Sequence, residues 1–362
     1  MDSNYLHPGA TVGIIGDNIN ACQFAKEGRN LGFKVGLFTG FSESKIRQYV
    51  DFVVVGDPND EDKLTLFADR CDLITYASEF VSVDAIEFLE KRTNVLQGTD
   101  LLEITQDRAL EHAFFDQINI NGVPYSTVVD VDDVKTTIDS IGYPAILKPI
   151  LKSSVGQESV SIKTPAEISN FNQLFEYGSY LLESDVEYKR EFSVQAVRAA
   201  NGSIEQFPVL EVTQMGGVTR VINTNLADIA DVVAEIKKIV AKIGDNINYI
   251  GLYGVKFGLD SNQTLYVRNI SASGDSEAYI FNQSMNVSAY QQHFRAIANY
   301  PLMPIKKYQD VILQSFMPDQ LMPVLDLVNQ HSDWGIRFEI QCILIATDDV
   351  AKNVAVLDNN NL

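Results

Sequence analysis

At 362 residues, the chain exceeds the usual size of a single hydrophobic core and predicts two or three domains. Hydrophobic residues make up 46% and charged residues 21%, a composition typical of globular rather than disordered proteins. The formal net charge of -20 excludes nucleic acid and anionic membrane surfaces as general partners, because a phosphate backbone needs a basic face.

Cysteine usage and the start of the chain predict the compartment. Cys22, Cys71 and Cys342 are widely spaced and form neither a disulfide framework nor a metal-type pair, which favours a reducing environment. No run approaches the roughly 20 apolar residues of a membrane span, and Met1 to Pro8 do not resemble the start of a signal peptide. We therefore expect a cytoplasmic protein with no membrane partner.

The first hundred residues alternate apolar runs with helical stretches. The runs occupy 11–16, 34–39, 51–56 and 72–77. Strands that alternate with helices predict a parallel sheet with right-handed crossovers. We therefore expect a doubly wound α/β domain over residues 1–102.

The turn after the first run invites a dinucleotide-binding interpretation. That function requires G-x-G-x-x-G at the turn, whereas here Gly13 and Gly16 are followed by Asp17. A carboxylate at this helix N-terminus would repel a pyrophosphate. The segment therefore favours a tight strand-to-helix turn over a nicotinamide or flavin site.

The sequence pattern changes from Glu103 onward. A helix is predicted over 106–118, and a buried strand over 143–150 carries a lysine, Lys148, among apolar residues. A Ser- and Gly-rich loop follows at 151–163, and such loops commonly close over phosphates.

The rest of the chain predicts antiparallel sheet, because apolar and polar residues alternate along its strands. A helix is expected at 227–243, and further apolar strands follow. The expected organisation is a second domain over 103–302, with a mobile lid at about 148–185. A small β-rich C-terminal domain would occupy 303–362.

Seven short motifs resemble those of one known family. They are QDR at 106–108, GVP at 122–124, YPAILKP at 143–149, EFS at 191–193, FPVLE at 207–211, GLYGV at 251–255 and SAYQQHFRAI at 288–297. In this order and spacing they resemble the 5-(carboxyamino)imidazole ribonucleotide synthase family, the ATPase subunit of phosphoribosylaminoimidazole carboxylase in purine biosynthesis. The resemblance covers nearly the whole chain.

This resemblance implies an ATP-grasp fold, in which two α+β lobes clasp ATP. The family uses ATP to activate bicarbonate as carboxyphosphate and then carboxylates the amino group of aminoimidazole ribonucleotide. Such chemistry needs cations on the phosphates, carboxylates for Mg²⁺ and a basic pocket for the ribonucleotide. The expected partners are small-molecule nucleotides, and the family commonly forms homodimers.

The resemblance also implies which residues bind the nucleotide. Arg108 and Lys148 match phosphate-contacting cations, and a lysine in an apolar strand already needs a partner because an unpaired buried ammonium is costly. The remaining matches are the loop residues Gly156 and Gln157, the adenine hinge at Glu183, Ser184 and Val186, and the ribose-binding acid Glu191. Tyr76, Glu79 and Ser273 match substrate-binding positions.

The chain departs from the family where a metal would bind. The family has a glutamate in the strand after the Gly-rich turn and another thirteen residues later, and this chain has Lys256 and Asn269 there. Mg²⁺ at this site would lose two carboxylates and gain a repulsive ammonium, so we predict no metal ligands. Asp275 and Glu277 replace basic loop residues and are expected to repel an anionic substrate.

Three hypotheses therefore stay open. The first is a working synthase or a related ATP-dependent ligase. The second is a catalytically inactive paralogue that binds nucleotide and has a regulatory or interaction role, with Lys256 neutralising phosphate directly. The third, an oxidoreductase built on the first βαβ unit, lacks its glycine motif.

Overall fold

The computed structural model describes residues 5–152, 158–224, 226–360 and 362. In the first hundred residues strands and helices alternate as predicted. They are β1 (Thr11–Ile15), α1 (Ile19–Asn30), β2 (Lys34–Thr39), β3 (Phe52–Val55), α2 (Glu61–Ala68), β4 (Leu73–Tyr76) and α3 (Val83–Glu90). The strands pair in parallel in the order β3-β2-β1-β4, which confirms the doubly wound N-terminal domain.

The turn between β1 and α1 is fixed by its own side chains. Gly16 has φ 121°, a left-handed conformation that favours glycine. Asp17 accepts a hydrogen bond from the Thr39 hydroxyl at 2.8 Å. Asn18 caps α1 by accepting from the N–H of Ala21 at 2.8 Å. The polar groups of the turn are thus used internally, as the tight-turn interpretation predicts.

A pair of helices leads into a small separate sheet, which we call the lid sheet. The elements are α4 (Asp100–Gln106), α5 (Arg108–Gln117), β5 (Tyr125–Val128), α6 (Val131–Ile141), β6 (Ala145–Pro149), β7 (Val160–Ile162) and β8 (Tyr180–Ser184). The strands pair in the order β5-β8-β6-β7. The sheet has a core of its own that includes Val134, Leu147 and Leu182, and its strands span residues 125–184.

Among the described residues, the central sheet has nine strands and is larger than the lid sheet. Its elements are β9 (Tyr188–Arg198), β10 (Ile204–Gln206), β11 (Leu210–Met215), β12 (Val218–Asn223), α7 (Ala230–Asp245), β13 (Gly251–Asp260), β14 (Leu265–Ala272), α8 (Phe281–Ser284) and α9 (Ala289–Ile297). Strand β9 lies between β13 and β11, and both pair with it antiparallel. The predicted antiparallel architecture is confirmed.

The C-terminal segment extends the same sheet. It consists of β15 (Val311–Ser315), α10 (Leu321–Gln330), β16 (Trp334–Arg337), β17 (Cys342–Ala346) and α11 (Val350–Asn359). Strand β15 pairs with β12, so the order continues β12-β15-β17-β16. Helix α10 joins β15 to β16 and α11 follows β17, and neither helix was predicted from the sequence. Among the described residues, no helix combines the length and apolarity needed to cross a membrane.

Candidate functional site

A cleft of about 470 Å³ lies between the lid sheet and the central sheet, and we call it the first cleft. Apolar side chains in its lining come from Val123, Ile146, Val186 and Tyr188. Its lining also holds the cations Arg108, Lys148, Lys152 and Arg268 and the acids Glu79, Glu111, Glu183 and Asp185. An apolar wall combined with several cations suits a flat ring that carries an anionic chain.

Lys148 has a buried partner on the neighbouring strand. Its ammonium pairs with Glu183, which lies on β8 opposite Ile146, two residues from Lys148, and His112 Nε2 also donates to Glu183 at 3.2 Å. Burial raises the pKa of Glu183, but the hydrogen bond from His112 and the charge of Lys148 outweigh it and hold the pKa below its usual value. Glu183 is therefore ionised, and the Lys148 side chain remains 30% exposed at the cleft.

Two further cations are fixed beside it. The Arg108 guanidinium donates to the Pro149 carbonyl oxygen at 2.6 Å. Lys152 lies 3.1 Å from Glu111, whose carboxylate also accepts from the N–H of Ile270 at 2.8 Å. Burial raises the pKa of Glu111 in spite of the Lys152 charge. These contacts tie α5 to both walls of the cleft.

The predicted hinge joins the two sheets. Ser184 and Val186 line the first cleft, and the N–H groups of Ser184 and Asp185 donate to Pro124 and Pro144 at 3.0 Å each. Glu191 stands outside the cleft lining and pairs with Arg268, which lines it. The predicted nucleotide residues in the described part of the chain thus lie in or beside one cleft. Gly156 and Gln157 fall outside the described residues.

A second cleft, also of about 470 Å³, opens beside the first. Its walls are the turn after β1 with the start of α1, the segment after β4, and residues 271–276 at and beyond the end of β14. Glu79 lines both clefts. Its Oε2 atom is buried without a hydrogen-bond partner among the described residues, and burial raises the pKa of Glu79 to about 7 in spite of the Lys152 charge.

Lys256 and Asn269 face each other across the β13–β14 ladder. This register places the two departures from the family side by side. Lys256 Nζ lies 3.0 Å from Glu277 Oε1 and 3.6 Å from Asp275 Oδ1. Burial lowers the pKa of Lys256, but the charges of Asp275 and Glu277 outweigh it and raise the pKa above its usual value.

Asp275 and Glu277 were predicted to repel an anionic substrate, on the assumption that both carboxylates are unpaired. Both are instead paired with Lys256, and their side chains are 10% and 5% exposed. The pKa of Glu277 is raised by burial and by Asp275. The physical reason is that the added cation, Lys256, pairs with both added acids and offsets one of their two negative charges.

Tyr76 and Ser273 are buried below the second cleft and are not part of its lining. The Tyr76 hydroxyl donates to the Gly98 carbonyl at 3.1 Å, and the Ser273 hydroxyl donates to the Tyr76 carbonyl at 2.7 Å. Gln97 donates to Tyr249 and to Ser273 in the same cluster. The Ser273 hydroxyl and the Gln97 amide join the N-terminal domain to the central sheet. Of the three predicted substrate residues, Glu79 is the one that lines a cleft.

Comparison with known families agrees with this architecture. The family model described as "Ribonucleotide synthetase preATP-grasp domain" matches residues 9–106, and that described as "ATP-grasp domain" matches residues 113–273. The chain therefore contains an ATP-grasp domain preceded by a preATP-grasp domain. The ATP-grasp match contains Lys148, the hinge, Lys256 and Asn269, so most of the residues that line the first cleft belong to the ATP-grasp domain.

Similar proteins from two bacteria share the same name. N5-carboxyaminoimidazole ribonucleotide synthase of Bacillus subtilis is 28% identical over 310 residues, covering 83% of this chain and 80% of that protein. The Staphylococcus aureus synthase is 26% identical, covering 93% and 90%. These findings confirm the resemblance drawn from the sequence motifs.

Solved structures show the same ATP-grasp fold. The crystal structure of the Staphylococcus aureus synthetase aligns with a TM-score of 0.91 at 24% identity, covering 99% of each chain. An Aspergillus clavatus synthase in complex with ADP and 5-aminoimidazole ribonucleotide aligns with a TM-score of 0.86 at 15% identity, covering 98% of each chain.

Three charged residues of the first cleft were not predicted from the sequence: Lys152, Glu111 and Arg268. Glu111 gave a local sign, because it shares the buried face of α5 with Phe114 and Phe115. A carboxylate on an apolar helix face requires a partner. Lys152 and Arg268 cannot be distinguished in the sequence from ordinary charged residues of a loop and a strand, because only the tertiary structure places them at the cleft.

Proposed function

We propose that this chain is an ATP-dependent carbon–nitrogen ligase that carboxylates the amine of a ribonucleotide, as the names of its relatives suggest. The observation that carries the proposal is the position of Glu79, which lines both the cation-rich first cleft and the adjoining second cleft. ATP would occupy the first cleft, and the amine substrate the second.

The first cleft supports nucleotide binding. Val186 and Tyr188 offer apolar surface to the adenine at the hinge, and Arg108, Lys148 and Lys152 offer positive charge to the phosphates. Each of these side chains already contacts another group of the same chain, so little side-chain freedom is lost when phosphate binds. Such fixed charges stabilise phosphoryl transfer mainly by position and electrostatics.

The second cleft supports the amine step. In the reaction implied by the resemblance, bicarbonate takes the γ-phosphoryl group of ATP to form carboxyphosphate and ADP. The amine then attacks the carboxyl carbon, phosphate leaves and the nitrogen loses a proton. Glu79 is suited to accept that proton, because burial raises its pKa to about 7, close to the working pH of a general base.

Magnesium, which the family uses, does not fit the residues present. Mg²⁺ prefers carboxylate oxygens in octahedral geometry, and its expected positions hold Lys256 and Asn269. Among the described residues, no group of three or more acids, histidines or cysteines is placed to hold a metal ion. We therefore assign no step of the reaction to a bound metal.

The test is ADP formation from ATP, bicarbonate and aminoimidazole ribonucleotide, measured beside the Bacillus subtilis relative. We expect ADP to form when both co-substrates are present and the carboxylated amine to accumulate in equal amount. If ADP formation is independent of the amine, or does not occur, the ligase proposal fails.

A second function, nucleotide binding without turnover, is favoured by the replacement of the metal-binding acids with Lys256 and Asn269. Calorimetry separates the two functions. Retained ADP binding together with no amine-dependent ADP formation would identify a non-catalytic nucleotide-binding protein with a regulatory or interaction role.

The cytoplasmic location, the homodimer and the mobile lid are proposals supported by the sequence patterns and the family resemblance. Sedimentation velocity tests the dimer, and a monomer at micromolar concentration would contradict it. Hydrogen exchange of the lid sheet with and without ADP tests the lid, because closure should slow exchange there.

A further inference from the structure

Lys256 lies within a group of acidic side chains between the two clefts. Asp275 and Glu277 contact its ammonium directly. The charges of Lys256 and Asp275 both act on Glu79, which lines both clefts. Because Asp275 and Glu277 are almost fully buried, removal of the ammonium would leave their charges uncompensated. The group is therefore organised around a cation.

That cation is part of the protein. The ammonium stands on β13 directly opposite Asn269 on β14, where the family resemblance implies a pair of metal-binding glutamates. A divalent ion placed here would be repelled by the ammonium at short range. It would also compete with Lys256 for the Asp275 and Glu277 oxygens.

We propose that Lys256 is the resident cation of this group, and that the chain binds its nucleotide without a divalent metal ion. The second half of this proposal rests on the proposed nucleotide-binding function, whereas the first half does not. The phosphates would be neutralised by cations that the fold holds in place, with Lys148 and Lys152 in the first cleft and Lys256 beside it.

The first experiment measures ADP affinity by calorimetry on the full chain, in excess EDTA and in excess Mg²⁺. We expect the two dissociation constants to agree within about threefold. An affinity more than about tenfold higher in Mg²⁺ would overturn metal-free nucleotide binding. If ADP binds in neither buffer, the proposed nucleotide-binding function is rejected, and metal-free nucleotide binding is rejected with it.

The second experiment needs no nucleotide. Free Mn²⁺ is followed by electron paramagnetic resonance during titration of the wild type and of Lys256→Met. The variant should bind Mn²⁺, since Asp275 and Glu277 lose their cation, and the wild type should not. The matched control is Lys307→Met, because Lys307 is similarly exposed but pairs with one acid, Asp310; it should not bind Mn²⁺.

Circular dichroism establishes that Lys256→Met is folded. If it is not, Lys256→Gln gives the same comparison with a side chain that can still donate to both carboxylates. The assignment of Lys256 as resident cation is overturned if the wild type binds Mn²⁺ as tightly as the folded variant. It is also overturned if the folded variant binds none.

Discussion

Thr75 Oγ1 and His293 Nε2 lie 2.8 Å apart, although 218 residues separate them in the chain. His293 Nδ1 accepts from the N–H of Leu252 at 3.1 Å, so Nε2 carries the proton and donates to Thr75. Thr75 in turn donates to Gln97 Oε1 at 2.5 Å. This chain of hydrogen bonds joins β4, α9 and β13 and fixes the N-terminal domain against the central sheet.

The buried His293 predicts acid sensitivity. Burial lowers its pKa to about 3, so below pH 6.5 the unfolded chain takes up a proton that the folded chain does not. The free energy of unfolding should therefore fall as the pH drops from about 6.5 towards 3, by about 2 kcal/mol at pH 5 from this group. Urea denaturation at pH 7 and pH 5 measures it.

The comparison variant is His293→Asn, which should show a smaller difference between pH 7 and pH 5 than the wild type. His331→Asn, which alters a histidine stacked on Trp334 near the C-terminus, should keep the wild-type difference. Equal differences in all three proteins would contradict the assignment to His293.

Lys148→Met should weaken ADP binding by about tenfold or more, because loss of a charged hydrogen bond to phosphate costs about 1.5–3 kcal/mol. Calorimetry measures the change. Lys163→Met is the matched control, since this lysine follows β7 in the same lid sheet and is exposed. Equal affinities for the two variants would show that Lys148 does not contact the nucleotide.

Glu79→Gln should lower amine-dependent turnover by about a hundredfold or more, the usual contribution of a general base. Its ADP affinity should change by less than about threefold. A steady-state assay and calorimetry separate the two quantities. Loss of ADP affinity together with turnover would mean that Glu79 serves nucleotide binding instead.

Glu79 also predicts a pH effect on stability. Because its pKa is raised from 4.5 to about 7 in the folded protein, the folded chain keeps a proton that the unfolded chain loses in this range. The free energy of unfolding therefore falls as pH rises from about 4.5 to 7. Between pH 4.5 and 8, the free energy of unfolding of the wild type should fall by on the order of 2–3 kcal/mol more than that of Glu79→Gln. Glu43 is exposed, and Glu43→Gln should show the same pH dependence as the wild type.

Gly254→Ala should destabilise the protein by about 1–3 kcal/mol, the usual cost of overpacking a filled interior. An added Cβ at Gly254 would lie 2.5 Å from Asp275 Oδ2 and 3.1 Å from the Gln195 amide. At Gly40 an added Cβ meets nothing within 4 Å, so Gly40→Ala should change stability by less than about 0.5 kcal/mol. Thermal unfolding of the two variants tests the difference.

The secondary structure was largely predictable because its causes are local. The apolar runs of the first hundred residues form β1 to β4 within one or two residues of their predicted bounds. Their alternation with helices also predicted the parallel sheet. Helices α10 and α11 were missed. Their apolar residues also suit short strands, and pattern alone does not separate the two in short segments.

The sequence by itself determined the fold class, the order of the domains and the positions where this chain departs from its family, Lys256 and Asn269. These features depend on motif order and on residues close together in the chain. The tertiary structure alone decided which charges are compensated, because their partners come from distant segments. Glu111 meets the backbone of Ile270, and Lys256 meets Glu277. Burial then sets the pKa of each group, so Asp275 and Glu277 became partners of a cation rather than a barrier to an anion.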